Sequence, residues 1–373
     1  GSKSSITAST DRTEVLQDAD YVMISVTQNR WNLWEQDYRV PAAHGFWQAY
    51  GENGGPGALF HALRNIHLCE PIWRDIERLA PNAVLFNYTN PESRMLLALL
   101  TLTNIRAIGL CHGQLTAIKW ACDQLGMDFE DMEAVGRGIN HFYFFQKIAH
   151  RQTGEDLYDK VLEAVRKDDD PIRDFLREIV DIFGLYSYPN DTHTGEYVSF
   201  GAEMLGFKWK HGRESLSPDA PLITVAENPL PFEDYFTGAK TLEHAAGLSR
   251  ELGVPMMVSH ATNQRQWYVS GNLLNTELSI PNLLPDAVVE VPIEVDGDGF
   301  HPCRTDPLPE PLACWCRTQM SIQKLTVQAY QEKSRNLLLQ ALLIDPAVNS
   351  LRRARAFLDD MLERQKDYLP TFT

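Results

Sequence analysis

Short apolar runs that end in polar residues alternate with longer segments of helical periodicity from Ala19 onward. This alternation is typical of βαβ units, in which parallel strands form a sheet and helices cover its faces. The pattern predicts strands at residues 21–26, 83–86 and 105–110, and helices at residues 57–65 leading on to 72–79, at 92–102 and from 114 onward. The first part of the chain is therefore expected to belong to the α/β class.

The pattern changes after about Glu133, where a strand-like segment is followed by long helical segments and then by loops rich in Pro and Gly. Strands are predicted at residues 134–145 and 287–295, and helices at residues 157–183, 322–343 and 349–365. We therefore expect two domains, an α/β sheet domain at residues 1–132 and an α+β domain for substrate binding and oligomerisation at residues 133–373.

Composition narrows the expected partners and compartment. A formal net charge of −16 disfavours nucleic acid and anionic membrane surfaces, so a small molecule is the expected partner. The sequence contains no apolar run long enough to span a membrane, and its start lacks the basic and apolar regions of a secretion signal. Six cysteines without such a signal fit the thiols of a cytoplasmic protein better than a disulfide framework.

Polar residues follow the predicted strands where the strands end, which is where open parallel sheets bind ligands. These residues are Asn87, Thr89 and Asn90 after the second strand, Cys111 and His112 after the third, and Asn140 and His141 within the next strand-like segment. A thiolate and an imidazole from separate elements could hold a borderline divalent metal ion and leave coordination positions open for substrate. From spacing alone, a buried Cys and a hydrogen-bonded structural His are the commoner alternative.

The sequence contains no Gly-x-Gly-x-x-Gly motif, the phosphate-binding turn of dinucleotide folds. Residues 51–57 (GENGGPG) are rich in glycine, but they do not follow a predicted strand at the spacing that such a turn requires. Taken alone, this segment is interpreted as a flexible loop that caps the helix beginning at Ala58.

An ordered series of short motifs resembles glycoside hydrolase family 4. The motifs are DYVMISV at residues 20–26, GGPG at 54–57 with ALR at 62–64, NYTNP at 87–91, GLCHG at 109–113, GINHF at 138–142, DTHTGEY at 191–197, IPNL at 280–283, VEVP at 289–292 and HP at 301–302. The resemblance implies a Rossmann-like sheet of the lactate/malate dehydrogenase type, and a homodimer or homotetramer. The family's first strand, its Gly-rich turn and its acidic ribose ligand have no counterpart here, so the NAD-binding part is expected to be incomplete at its N-terminus or altered.

The resemblance also implies a glycosidase that uses transient oxidation instead of paired carboxylates. NAD takes a hydride from C3 of the sugar, a base removes the acidified C2 proton, the aglycone leaves, and water and the hydride then return. In this reading Cys111 and His141 hold a divalent metal ion, with Mn²⁺ the first choice. Asp191 is the expected C2 base, with Tyr186 or Tyr188 as alternatives.

The remaining roles follow from the same resemblance. His112 is expected to protonate the leaving oxygen or to bind a sugar hydroxyl, and Asn90 and Asn140 to bind the sugar. Asn87 and Thr89 are the expected cofactor-binding residues.

The residue pair after Cys111 bears on the substrate. His112-Gly113 resembles the members that act on unphosphorylated hexosides and uronides, with the α anomer favoured. A uronide would need an arginine near the site, for which Arg39, Arg137 and Arg304 are equal candidates.

Two alternatives stay open at this point. A malate- or lactate-type NAD-dependent dehydrogenase has no use for Cys111, and a non-catalytic relative that has lost NAD binding has no need for Cys111, His112, His141 and Asp191 together.

Overall fold

The computed structural model describes residues 4–205, 237, 239 and 250–373, and one mixed sheet of eight strands organises them. The strands are β1 (Tyr21–Ile24), β2 (Val84–Asn87), β3 (Arg106–Gly109), β4 (Met132–Ile139), β5 (Phe142–His150), β6 (Gln266–Leu274), β7 (Val288–Asp296) and β8 (Gly299–Pro302). Their order is β1-β2-β3-β6-β7-β4-β5, and β8 pairs with β7. Strands β1 to β3 pair in parallel, whereas all other pairs in the described sheet are antiparallel.

Helices cover both faces of this sheet. They are α1 (Thr13–Leu16), α2 (Arg30–Ala43), α3 (Pro56–Leu79), α4 (Glu92–Leu102), α5 (Gly113–Leu125), α6 (Tyr158–Lys167), α7 (Asp174–Phe183), α8 (Asp191–Thr194), α9 (Gly201–Leu205), α10 (Gly253–Thr262), α11 (Glu310–Glu332), α12 (Arg335–Leu343) and α13 (Leu351–Arg364). The first apolar core joins α3, α4 and the C-terminal helices, the second joins the sheet to the first half of α11, and the third joins α5 and α6 to β4 and β5.

The α/β class and the three parallel strands predicted from the sequence are confirmed. Helix α4 has the predicted bounds, and the two helical patterns at residues 57–79 form the single helix α3, which passes through Pro71. Helix α5, predicted from residue 114 onward, buries one face, because Leu115, Ile118, Ala121 and Cys122 all lie in the third core. Burial of each large apolar side chain on this face stabilises the fold by roughly 1.5–3 kcal/mol.

The single strand predicted at residues 134–145 is wrong. The chain instead forms the hairpin of β4 and β5, with Asn140 and His141 as its turn. Buried residues continue through both strands, so the apolar pattern gave no sign of the reversal. The turn also lacks the Asn-Gly or Asp-Gly pair that usually indicates a two-residue hairpin loop.

Two predicted long helices are each divided in two. The segment at residues 157–183 breaks between α6 and α7 at Asp168–Pro171, where the restricted φ of Pro and the absence of its N–H favour a new helix start. The segment at residues 322–343 breaks at Lys333, whose φ of 53° ends α11, and the Ser334 side chain then caps α12.

Two features of the predicted organisation stay predictions. The Pro- and Gly-rich loops expected after residue 183 fall largely outside the described residues. The two-domain division at residue 132 stays a prediction, because one sheet continues through both parts by pairing β3 with β6. Within the described ranges, we find no helix that is both long and apolar enough to cross a membrane.

Candidate active site

Two adjoining cavities open at the carboxyl ends of the parallel strands. The inner cavity has a volume of about 240 Å³ and is lined by Arg30, Trp34, Tyr50, Glu52, Tyr88, Asn90, Leu110, Cys111, His112, His141, Tyr188 and His193. The outer cavity has a volume of about 330 Å³ and is lined by Ser25, Val26, Thr27, Arg30, Glu52, His61, Asn65, Tyr88, Thr89 and Asn90. Four residues, Arg30, Glu52, Tyr88 and Asn90, line both cavities and form their common wall.

Cys111 and His141 meet in the inner cavity, as the sequence predicted. Cys111 follows β3, and His141 lies in the β4–β5 turn, yet the thiol Sγ is only 3.2 Å from the imidazole Nε2. His141 has a φ of 63°, in the left-handed region that non-glycine residues rarely adopt. Such a strained conformation persists where the surrounding structure holds it, and it is common at functional sites.

Two further side chains that could bind a metal ion, one carboxylate and a second imidazole, lie near this pair. Glu52, His141 and His193 each offer one ligand atom, and these atoms lie within 4.8 Å of one another. The rings of His141 and His193 are 4.4 Å apart, and the Asn53 amide hydrogen bonds to His141 Nδ1 at 3.1 Å. A hydrogen bond to the second ring nitrogen is the usual way in which a metal-binding histidine is oriented. The donor set of thiol, imidazole and carboxylate therefore fits a borderline divalent cation.

Burial raises the pKa of the Cys111 thiol to about 12, and the Glu290 carboxyl acts in the same direction. The thiol is consequently protonated at neutral pH when no cation is near. Metal ligation requires the thiolate, and a bound divalent cation supplies the positive charge that stabilises it. Binding of a cation at this site would thus release a proton.

The Gly-rich segment at residues 51–55 leads into α3 with Gly55 at the N-cap, as interpreted from the sequence, and it is also buried against the site. The backbone N–H groups of Glu52 and Asn53 both donate to the Glu196 carboxylate, at 2.6 and 3.2 Å. A side chain at Gly54 would lie 2.4 Å from the Glu196 carbonyl oxygen, so only glycine permits this close approach. The glycines bring Glu52 into the common wall of the cavities.

Three more of the predicted residues line the cavities. Asn90 donates its amide to Glu52 at 3.3 Å in the common wall. Thr89 lines the outer cavity, where its hydroxyl accepts from the Val26 N–H at 3.1 Å. His112 is exposed at the mouth of the inner cavity, and its Nδ1 lies 3.6 Å from Glu251.

The other predicted residues lie behind the cavity walls. Asn87 is buried and holds the turn after β2 by exchanging hydrogen bonds with the Thr89 backbone. Asn140 is buried and donates to the Glu290 carboxyl at 3.3 Å. Neither side chain lines the two cavities. Each instead forms hydrogen bonds behind the cavity walls.

Asp191 is also absent from the described cavity linings, which contrasts with its expected role as the C2 base. It is fully buried, and its two carboxylate oxygens accept the backbone N–H groups of Phe175 and Leu176 at 2.6 and 3.0 Å. These donors belong to the first turn of α7, where no intrahelical acceptor is available. Desolvation raises the pKa of Asp191 to about 7, although both hydrogen bonds act to lower it.

Of the two alternative bases, Tyr188 lies in the inner cavity and Tyr186 does not. The Tyr188 ring stacks with that of His193 at 5.2 Å and with that of His141 at 5.8 Å. Burial raises the pKa of the Tyr188 hydroxyl well above its ordinary value. Tyr186 is buried elsewhere and donates its hydroxyl to the Ala117 carbonyl at 2.8 Å.

None of the three predicted arginines lines either described cavity. Arg39 is buried in an ion pair with Glu35, and Arg137 reaches the Pro307 carbonyl at 3.5 Å. Arg304 lies exposed after β8.

Sequence reasoning missed several cavity residues, namely Arg30, Trp34, Tyr50, Glu52 and His193. Signals for two of them were present in quoted motifs, since Glu52 stands inside the Gly-rich segment and His193 inside DTHTGEY. Arg30, Trp34 and Tyr50 lie on α2 or after it, and no recognised motif covers this part of the sequence.

Comparisons with known proteins identify the family of this chain. Residues 1–127 match the family model described as "Family 4 glycosyl hydrolase", and residues 137–348 match "Family 4 glycosyl hydrolase C-terminal domain". An α-galactosidase of Bacillus subtilis (strain 168) is 31% identical, over 97% of this chain and 84% of its own length. An α-galacturonidase of Lachnoclostridium phytofermentans is 24% identical, over 95% of this chain and 81% of its own length.

Solved structures share the fold. The crystal structure of a 6-phospho-α-glucosidase from gut microorganisms, in complex with NAD and Mn²⁺, superposes with a TM-score of 0.76 at 22% identity, over 98% of this chain and 85% of its own. With matches of both family models across most of the sequence, and a curated relative above 30% identity, this chain belongs to the family 4 glycosyl hydrolases.

Proposed function

We propose that this chain hydrolyses an unphosphorylated α-glycoside of a hexose or hexuronic acid, using NAD and a divalent cation such as Mn²⁺. The observation that carries the proposal is the Cys111–His141 pair, 3.2 Å apart in a cavity with Glu52 and His193 nearby. A malate- or lactate-type dehydrogenase would have no use for this thiol. The Cys-His-Gly sequence at residues 111–113 supports an unphosphorylated sugar.

The two cavities divide the binding work in this proposal. The outer cavity, at the ends of β1 and β2, takes the reactive end of NAD, and the inner cavity takes the sugar. When bound, NAD supplies a hydride acceptor and the metal ion supplies a Lewis acid. Asn90 and Glu52 line both cavities, so they contact the sugar at the point where it meets the cofactor.

Tyr188 takes the C2 proton in this proposal. Its ring packs against those of His141 and His193, and the residue lines the same cavity as Cys111 and His141. Because burial raises its pKa, the hydroxyl needs nearby positive charge before it can act as a base. Asp191 has a structural role instead, since both of its oxygens hold the start of α7.

His112 protonates the leaving oxygen. It lies at the exposed mouth of the inner cavity, so it can regain a proton from solvent between turnovers. The Glu251 carboxylate lies 3.6 Å from its Nδ1, beside the mouth of the cavity.

Hydrolysis of a panel of aryl glycosides tests the proposal. The panel contains α and β anomers of neutral hexosides, hexuronides and 6-phosphohexosides, with NAD and Mn²⁺ each present or omitted. We expect cleavage of an unphosphorylated α-glycoside only when both are present, and its loss in Cys111→Ser. The matched control is Cys314→Ser, which changes an exposed thiol on α11 outside both cavities.

Cleavage that persists without NAD would refute the oxidative mechanism. Selective cleavage of 6-phosphohexosides would refute the assignment of an unphosphorylated substrate. Activity of Cys111→Ser at the level of the Cys314→Ser control would refute the proposed metal site.

A further inference from the structure

Arg30 is the one arginine or lysine among the described residues that line the two cavities. It stands at the start of α2, directly after the loop that follows β1, and its side chain lies in the common wall. The sequence gave three other arginines as candidates for binding an acidic sugar, and none of them lines a described cavity. Arg30 is therefore the cationic group in position to contact a ligand there.

The Arg30 guanidinium is held by aromatic rings and by no described carboxylate. Its Cζ lies 4.9 Å from the centroid of the Trp31 ring and 5.3 Å from that of Trp34. The two indoles stack at 6.1 Å, and the buried Trp34 donates its Nε1–H to the Tyr50 carbonyl at 3.2 Å. A guanidinium that lies over aromatic rings still carries N–H donors that can bind an anion. A cation restrained in this way loses little entropy when it binds an anion.

The charges around Arg30 favour a carboxylate over a phosphate. The planar fork of a guanidinium matches the two oxygens of a carboxylate, and one unit of positive charge balances one of negative charge. A phosphate monoester carries close to two negative charges at neutral pH, and Glu52 lies in the same wall. Because no second arginine or lysine lines the described walls, a dianion would have a single guanidinium to pair with, next to a carboxylate.

We infer that Arg30 determines specificity by binding the carboxylate of a hexuronide, so that a hexuronide is the substrate class of this enzyme. This inference rests on the proposed function, because it assumes that the inner cavity binds the sugar. The relatives found act on neutral, acidic and phosphorylated sugars according to their names, and the inference selects the acidic class for this chain.

The test compares Arg30→Gln and Arg30→Lys with the wild type. Its first measurement is the ratio of kcat/KM for an aryl α-hexuronide to that for the matching neutral α-hexoside. We expect the ratio to fall about 100-fold in Arg30→Gln, the loss typical of a charge-assisted hydrogen-bonded pair. A partial fall is expected in Arg30→Lys, which keeps the charge and loses the fork. Arg355→Gln, which changes an exposed arginine on α13, is the charge-matched control and should leave the ratio unchanged.

The second measurement is calorimetric binding of free galacturonate, galactose, galactose 6-phosphate and NAD, which needs no turnover. We expect galacturonate to bind wild type more tightly than the other two sugars do, and Arg30→Gln to lose this preference while NAD affinity is kept. If Arg30→Gln weakens NAD and leaves galacturonate unaffected, Arg30 contacts the cofactor and the inference is overturned. Preference of wild type for the neutral or the phosphorylated sugar also overturns it. Absence of any glycoside cleavage with retained galacturonate preference would refute the proposed function but not the role of Arg30.

Discussion

Substitution of Asp191 separates a structural role from a catalytic one. Its oxygens accept the N–H groups of Phe175 and Leu176, and all three residues are buried. Asp191→Ala leaves two buried donors without partners, each costing about 1–3 kcal/mol, so we expect a loss of about 2–6 kcal/mol in the free energy of unfolding. Asp191→Asn keeps one acceptor oxygen, and we expect roughly half of that loss.

The assay combines urea unfolding with steady-state kinetics under conditions where each variant is folded. We expect Asp191→Asn to keep kcat within about threefold of wild type, because the side chain lies behind the cavity walls. Asp170→Asn is the matched control, since Asp170 accepts the Ile172 N–H at 3.0 Å in a partly exposed cap and should cost only about 0.5–1 kcal/mol. A fall of 1,000-fold or more in kcat for Asp191→Asn, with stability unchanged, would show that Asp191 is the base and that our reasoning is wrong.

The pH dependence of stability gives a second check on Asp191. Burial raises its pKa from the ordinary 3.8 to about 7, so the folded protein holds a proton that the unfolded chain releases between these values. The contribution of Asp191 to the free energy of unfolding therefore falls as pH rises from about 4 to 7. Asp191→Asn does not titrate, so the stability difference between wild type and this variant should shrink across that window.

Three further predictions concern the site itself. Cys111→Ser should lower bound Mn²⁺, measured by metal analysis after dialysis, and lower kcat/KM at least about 100-fold, whereas equal metal content would contradict the ligand assignment. Tyr188→Phe should lower kcat by about 10²–10⁴-fold and abolish exchange of the C2 proton with deuterated solvent, and retained exchange would exclude Tyr188 as the base. Gly109→Ala should destabilise the fold by about 3 kcal/mol or more in urea unfolding, because its Cβ would overlap the buried Glu92 carboxyl; a loss below 1 kcal/mol would show that this carboxyl can move.

Local pattern predicted the parallel part of the sheet and the position of its polar residues. The rule that ligands bind at the ends of parallel strands correctly brought Cys111, Asn90 and Thr89 to one crevice. It could not find the hairpin turn that presents His141, since the buried strands on either side show no break in apolar character. The sequence also could not show where Asp191 lies. A carboxylate that caps a helix and one that faces a substrate can both occur in a short motif of this kind.

The 3.2 Å between Cys111 and His141 depends on the seam where the parallel strands meet the antiparallel ones. At this seam β3 joins β6 at the single pair Gly109 and Asn272, and the Asn272 amide also donates to the Gly109 carbonyl at 3.2 Å. On the next strand Glu290 faces both Asn272 and Gly138 of the hairpin.

The Glu290 side chain continues this link, because it accepts from Ser270 at 2.6 Å and from Asn140, the residue before His141, at 3.3 Å. Cys111 thus follows β3 on one side of the seam. On the other side, the hydrogen bond from Asn140 to Glu290 fixes the turn that carries His141. A change in these buried contacts would alter the distance between the two proposed ligands without replacing either of them. In the proposed site, affinity for the metal therefore depends on the seam as well as on Cys111 and His141.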